Sequence, residues 1–250
     1  MKASLPRRVI AATFARSFLI QGSWNYHSML GTGFAYAMLP ALRRLSNGDA
    51  DVYDAAVRRH VDHFNAHPYL SNLALGAAVR LEADGADPET IKRFKTAVRG
   101  PLGGLGDSLV WATWLPMLSM MAMTLWWLGL PGWLAVGFFV IAYNLGHVGL
   151  RVWAFRIGLR EGRGVAKALA QADLAKLAGR LASISALVLG VLGGAMLTGP
   201  RGLMGAGPAW AAVACIAFVI GDKVGHRAWR PAAIAMIAAI TLVLGWGVVR

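Results

Sequence analysis

A chain of 250 residues that is 57% hydrophobic and only 15% charged lacks the composition of a water-soluble globular domain, in which charged residues make up about a quarter. Its formal net charge of +13 invites a nucleic-acid partner, but the Lys and Arg residues sit between apolar runs without aromatic interleaving, as on a membrane face against anionic lipid. The single cysteine, Cys215, excludes a disulfide framework and a cysteine-paired zinc site, and its place in an apolar run reads as small buried packing.

The N-terminus imitates a secretory signal, with a basic start and an apolar middle, but Arg16 interrupts it and no polar mature protein follows. Residues 1–48 read as one membrane-embedded segment. Within it, Gln21, Asn25, Tyr26 and His27 form a polar patch flanked by Gly22, Gly31 and Gly33. A plain spanning helix has no use for such a patch.

Residues 49–100 read as cytoplasmic amphipathic helices. The stretch DVYDAAVRRHVDHFNAH has helical spacing with an apolar stripe of Val57, Val61 and Phe64. His60, His63 and His67 recur on the same predicted face, although no Cys or Glu completes a metal set, and capping or packing explains them more simply. HPYLSNLALGAAVRLEADG predicts a second amphipathic helix ending near Gly85. DPETIKRFKTAVRG predicts a third, with Asp87 as N-cap and Pro88 in its first turn.

Residues 101–250 read as the transmembrane body. RGPLGGLGDSL superficially resembles a phosphate loop, but it lacks the Gly-Lys-Ser/Thr ending and no strand precedes it. It places Asp107 and Ser108 as an N-cap at the mouth of a membrane helix. Residues 109–150, 181–200, 202–221 and 231–249 contain no Asp, Glu, Lys or Arg. Pro131-Gly132 splits the first run into a hairpin, giving about five transmembrane helices. Asn144 and His147 fall one turn apart near the end of a span, either paired across helices or interfacial.

The basic stretch 151–180 belongs inside, which makes the turn at 131–132 and the 200–207 loop external. The same rule puts both residue 1 and residue 49 inside. The first segment must then enter and return, with Gly31 and Gly33 supplying the break, or lie along the interface. Polar groups at that depth face a pathway or a packed neighbour. The spacing leaves both open, for Gln21, Asn25 and Tyr26 as for Asp107, Ser108 and Asn144. No catalytic dyad, nucleophile elbow, cofactor box or metal motif stands out, so a non-enzymatic all-α membrane protein without a cofactor is expected.

The blocks RSFLIQGSWNY, GFAYAMLPALRRL, RHVDHFNAHPYL, GPLGGLGDSLVWATWLP and YNLGHVGLRVW resemble, in order and spacing, the IID membrane subunit of the mannose/fructose/sorbose family of sugar phosphotransferase systems. The resemblance covers roughly residues 12–160 and fits more loosely beyond. It implies a multi-pass subunit of the bacterial inner membrane that pairs with a IIC subunit, as trimers of pairs. It further implies elevator-like inward movement of a hexose, phosphorylated by cytoplasmic IIA and IIB phosphocarriers. Two departures stand out: the external segment near residues 199–208 is short for the family, and His27-Ser28 replaces a common acidic-basic pair. A membrane scaffold or sensor that keeps the fold without transport is the alternative.

Overall fold

The computed structural model describes residues 4–198. The last two apolar runs, the 200–207 loop and Cys215 lie outside the described residues. All regular elements among the described residues are helical, as expected; extended pairing there is confined to isolated bridges of Asn25 with Met29 and of Met29 with Phe64. Contacts divide the chain into two compact units. One contains the residues up to Ala112 together with Tyr143–Leu177; the other contains Thr113–Ala142 and the stretch beginning at Ala178.

The first unit opens with a helical hairpin, α1 (Arg7–Arg16) and α2 (Gly31–Leu45), joined by a 3-10 turn at Ser17–Leu19 and an irregular loop. The chain does reverse here, but not at the glycines. The loop turns upstream of them, with Met29 at φ 53°, and Gly31 already begins α2. Both glycines serve close approach instead. A Cβ on Gly33 would collide with the Ile20 carbonyl, and one on Gly31 with the Val61 carbonyl.

Helix α3 (Ala50–Val61) starts at an Asp49 cap, whose Oδ1 accepts from the Val52 N–H at 3.0 Å. The sequence stripe of Val57, Val61 and Phe64 is corrected here. The buried positions of α3 are Ala56 and His60, Val61 is exposed, and Phe64 is buried from the following loop. The helix stops because its next backbone groups find other partners. Phe64 N–H donates to the Ser28 carbonyl (3.2 Å), and the Phe64 carbonyl accepts from Leu30 N–H (2.9 Å). His63 and His67 therefore do not share a helical face with His60.

Helix α4 (Ser71–Ala83) departs furthest from the expected surface helix. All its residues except Arg80 and Glu82 are buried. Ala, Gly, Ser and Leu around its full circumference let neighbours approach on every side, as a centrally packed helix requires. It ends in a Schellman motif: Ala86 N–H donates to the Leu81 carbonyl and Gly85 N–H to the Glu82 carbonyl, both at 3.0 Å, with Gly85 at φ +69°. Where α4 meets α7 (Gly132–Glu161), Gly76 and Gly158 lie against each other, a Cβ on Gly76 falling 3.2 Å from the Gly158 carbonyl carbon.

Helix α5 (Pro88–Gly106) begins as the sequence predicts, with Asp87 accepting from the Thr90 N–H at 3.0 Å and Pro88 in the first turn. Its far end differs. The chain continues without interruption through a π-helical stretch, Asp107–Trp114, into α6 (Leu115–Trp127). Asp107 and Ser108 are thus not an N-cap, since Pro101 and Gly103–Gly106 before them are already helical. π-Helical segments of this kind recur at functional sites.

In the second unit, α6 and the first part of α7 form the expected hairpin. Gly129 at φ +108° makes the turn, with Leu130 N–H on the Leu125 carbonyl at 3.0 Å. Beyond α7 come α8 (Val165–Gln171) and α9 (Leu174–Thr198), separated by Asp173 at φ 50°. Two helical stretches among the described residues, Pro88–Trp127 and Gly132–Gly194, are long and apolar enough to cross a bilayer.

Candidate functional site

A cavity of about 410 Å³ opens within the first unit. Three separate segments build it: Gln21, Trp24 and Leu30 from the α1–α2 loop; Asn65, Ala66, His67 and Pro68 from the α3–α4 loop; and Arg99, Gly100, Gly103, Gly104 and Asp107 along α5 and the start of the π-helical stretch. The glycines of the sequence RGPLGGLGD leave one side of α5 bare, so the cavity wall there is helix backbone rather than a phosphate-binding loop.

The first loop is held by Asn25. Its Oδ1 accepts from the backbone N–H groups of His27 (3.0 Å) and Ser28 (2.9 Å), and its Nδ2 donates to the Ser23 carbonyl (3.1 Å) and Ser28 Oγ (2.9 Å). That turn aligns residues 28–30 for their backbone pairing with Phe64, which ties the first two walls together. Asn25 is thereby spent on the loop itself, while Trp24 and Gln21 face the cavity. Tyr26 is 84% exposed and packs edge-on against Trp24, with ring centroids 4.8 Å apart.

His67 forms the inner wall. Its Nδ1 accepts from the Tyr69 N–H at 3.2 Å, and its ring lies against Gly106 so closely that a Cβ there would strike it. Burial, with the Arg151 cation nearby, pushes the imidazole down to about 4. The neutral ring then carries its proton on Nε2, which is buried without a partner among the described residues.

Behind His67 lies an aromatic cluster. Its ring is 5.1 Å from Trp111 and 4.8 Å from Tyr69, and Tyr69 stacks on His147 at 4.1 Å. The Tyr69 and Tyr143 hydroxyls are 2.6 Å apart. Arg151, 3% exposed, donates from Nε to His147 Nε2 (2.8 Å) and from Nη1 to the Ser17 carbonyl (2.9 Å). Its guanidinium sits 4.9 Å from the Phe18 ring centre and 5.0 Å from that of Tyr69. Aromatic faces and neutral acceptors here take the place of a carboxylate.

Of the residues singled out from sequence, Gln21 and Asp107 share the cavity. Ser108 follows Asp107 at the start of the π-helical stretch and is exposed. Asn144 is exposed on α7, one turn before His147, and is not part of the cavity lining. Sequence reasoning missed Trp24, Asn65 and Arg99 as cavity residues. It met His67 only as one of three histidines with metal-like spacing. No group of three metal-ligating side chains comes together among the described residues.

The sequence matches the mannose/fructose/sorbose family IID component of phosphotransferase systems over residues 4–200. The chain belongs to this family. Among IID relatives, it is 32% identical over 188 residues to the mannose-specific EIID component of Escherichia coli strain K12, an alignment covering 73% of this chain and 66% of the relative. The sorbose-specific EIID component of Klebsiella pneumoniae is 31% identical, with 73% of this chain and 68% of that one covered. The chain therefore spans about two-thirds of the length of its curated IID relatives. Among solved structures, the mannose transporter ManYZ in complex with microcin E492 superposes with a TM-score of 0.61 at 25% identity, covering 98% of this chain and 97% of that one. A second chain, described as a membrane protein, gives a TM-score of 0.68 at 26% identity with the same coverage. As a IID component the protein is a membrane constituent of a sugar phosphotransferase system.

Proposed function

We propose that this IID component pairs with a IIC subunit and that the pair, assembled as trimers, moves a hexose-type sugar across the bacterial inner membrane for phosphorylation by IIA and IIB. The family match over residues 4–200 carries this reading. The cavity supports it. Its polar lining is built from three segments that meet beside the start of an apolar helix, with His67 buried and Gln21, Asn65 and Asp107 accessible from outside. The protein's part is non-catalytic: its residues form and shape a route, while the phosphoryl group comes from the phosphocarriers. In this arrangement residues 1–48 enter and leave by the cytoplasmic side, 49–100 lie on that side, and the spans follow from residue 101. Gln21 and Asp107 face the sugar; Asn25 and Tyr26 support the loop, and Ser108 and Asn144 lie farther along the route.

Uptake of labelled hexoses decides the matter, measured in cells that express this chain with its IIC partner and the phosphocarriers. Uptake that requires this chain supports transport. Loss of dependence on the chain, with a stable IIC–IID complex still assembled, favours the scaffold reading.

A further inference from the structure

We infer that His147, Arg151 and the Ser17 carbonyl form a proton-sensitive latch, in which a proton taken up by the His147 imidazole frees the turn after α1 from α7. A guanidinium carries only N–H donors. In the 2.8 Å contact between Arg151 Nε and His147 Nε2 the imidazole nitrogen is therefore the acceptor. That nitrogen is bare, and the neutral ring carries its proton on Nδ1. A second proton on the ring and the bond to Arg151 exclude each other. Protonation replaces a hydrogen bond with two cations in contact. The ring is half-buried, so protons reach it without unfolding.

The groups that face the ring do not compensate the second charge. On α7 itself they are Arg151, one turn on, and Tyr143, one turn back, whose ring centre is 6.2 Å away. From the α3–α4 loop, Tyr69 stacks on the ring at 4.1 Å, and His67 lies within electrostatic reach of both His147 and Arg151. The turn after α1 supplies Phe18, at 5.9 Å. None of these groups is a carboxylate. The ring is held against Tyr69, whose hydroxyl is tied to that of Tyr143, whereas Arg151 holds the turn by a single hydrogen bond, 2.9 Å from Nη1 to the Ser17 carbonyl. That bond is the one that yields. The same carbonyl accepts from the N–H of the buried Ile20 at 3.2 Å, so loosening of the turn is read at that amide. The chain then leads into the loop that carries Gln21 and Trp24, which puts one wall of the cavity under the control of the latch.

Hydrogen exchange of the purified IIC–IID complex between pH 8 and pH 5, corrected for the intrinsic pH dependence of amide exchange, tests the latch. On acidification the protection of residues 18–22 falls about tenfold more than that of α4, the loss expected for one charge-assisted hydrogen bond. His147→Gln and His147→Asn each put a neutral amide oxygen opposite Arg151 at every pH, and in either variant the extra fall at residues 18–22 disappears. A fall that persists in both variants belongs to another titrating group and overturns the latch. Protection at residues 18–22 that tracks α4 in the unaltered complex overturns it as well, since the imidazole then takes its proton without releasing the turn. The measurement needs no sugar: a failed latch leaves the transport reading standing, and a failure of transport leaves the latch standing.

Discussion

His60 Nε2 and Glu82 Oε1 lie 2.8 Å apart, joining the end of α3 to the end of α4, and Arg59 reaches the same carboxylate at 2.8 and 3.2 Å. Burial lowers the His60 pKa from 6.5. Burial raises that of Glu82, but hydrogen bonds from His60 and Arg59 outweigh it and hold the carboxyl below 4.5. Both groups have folded pKa values below their unfolded ones. Their contributions are therefore complete above the unfolded values and fall away as pH drops, first through the His range below 6.5 and then through the Glu range below 4.5. Thermal unfolding of the purified complex should give a Tm that declines progressively as pH falls below 6.5. Glu82→Gln leaves Arg59 without its carboxylate, at a cost of about 3 kcal/mol, and should weaken the decline below pH 4.5.

The contact of Gly76 with Gly158 makes a second, sharper prediction. Gly76→Ala would drive a methyl into the Phe155 carbonyl, and Gly158→Ala into the Leu73 carbonyl. Backbone cannot yield as a side-chain tip does, so each change costs at least the ~1–3 kcal/mol of overpacking. The folded complex should drop in yield on size-exclusion chromatography. Gly149→Ala on the same helix α7 meets nothing within 4 Å and should be neutral or stabilising.

Asn25→Ala removes four hydrogen bonds from the loop that carries Gln21 and Trp24. Hydrogen exchange should rise in residues 21–30 while α4 stays protected, and sugar uptake should fall without loss of assembly. Asn25→Asp keeps the two accepted bonds and should fall between Asn25→Ala and the unaltered chain.

Cysteines introduced at 163 or 167, within the basic stretch after α7, should resist impermeant thiol reagents added outside intact cells, whereas positions 202–206 should react. The opposite pattern would invert the charge-derived orientation.

What the sequence made legible was what periodicity and local chemistry encode. The α6–α7 hairpin, the Asp87 cap and the end of α4 at Gly85 all follow from residues adjacent in the chain. The sequence does not separate a surface α4 from a centrally packed one, because both can carry Ser, Asn and Arg at their ends; the small residues along its length are the available signal. Helical spacing carries α3 on to Phe64, because the backbone pairing of Phe64 with residues 28–30 leaves no mark on that spacing. The cavity was half legible. Gln21 and Asp107 stand out as polar residues beside apolar runs, but Trp24, Asn65 and Arg99 join them only once three distant segments meet.

The buried guanidinium of Arg151 sets a schedule for biogenesis. Its Nη1 bonds to the carbonyl of Ser17, 134 positions earlier, and its charge is shielded by Phe18 and by Tyr69 from the α3–α4 loop. The N-terminal hairpin emerges from the ribosome long before the residue that completes it. Until α7 is synthesised, residues 28–30 can already pair with Phe64, but the Ser17 carbonyl lacks its Arg151 partner. A chain that ends before residue 151 would keep α2 against α3 and α4 but lose the tie at Ser17, so the turn after α1 is the part of the hairpin that reports completion of α7.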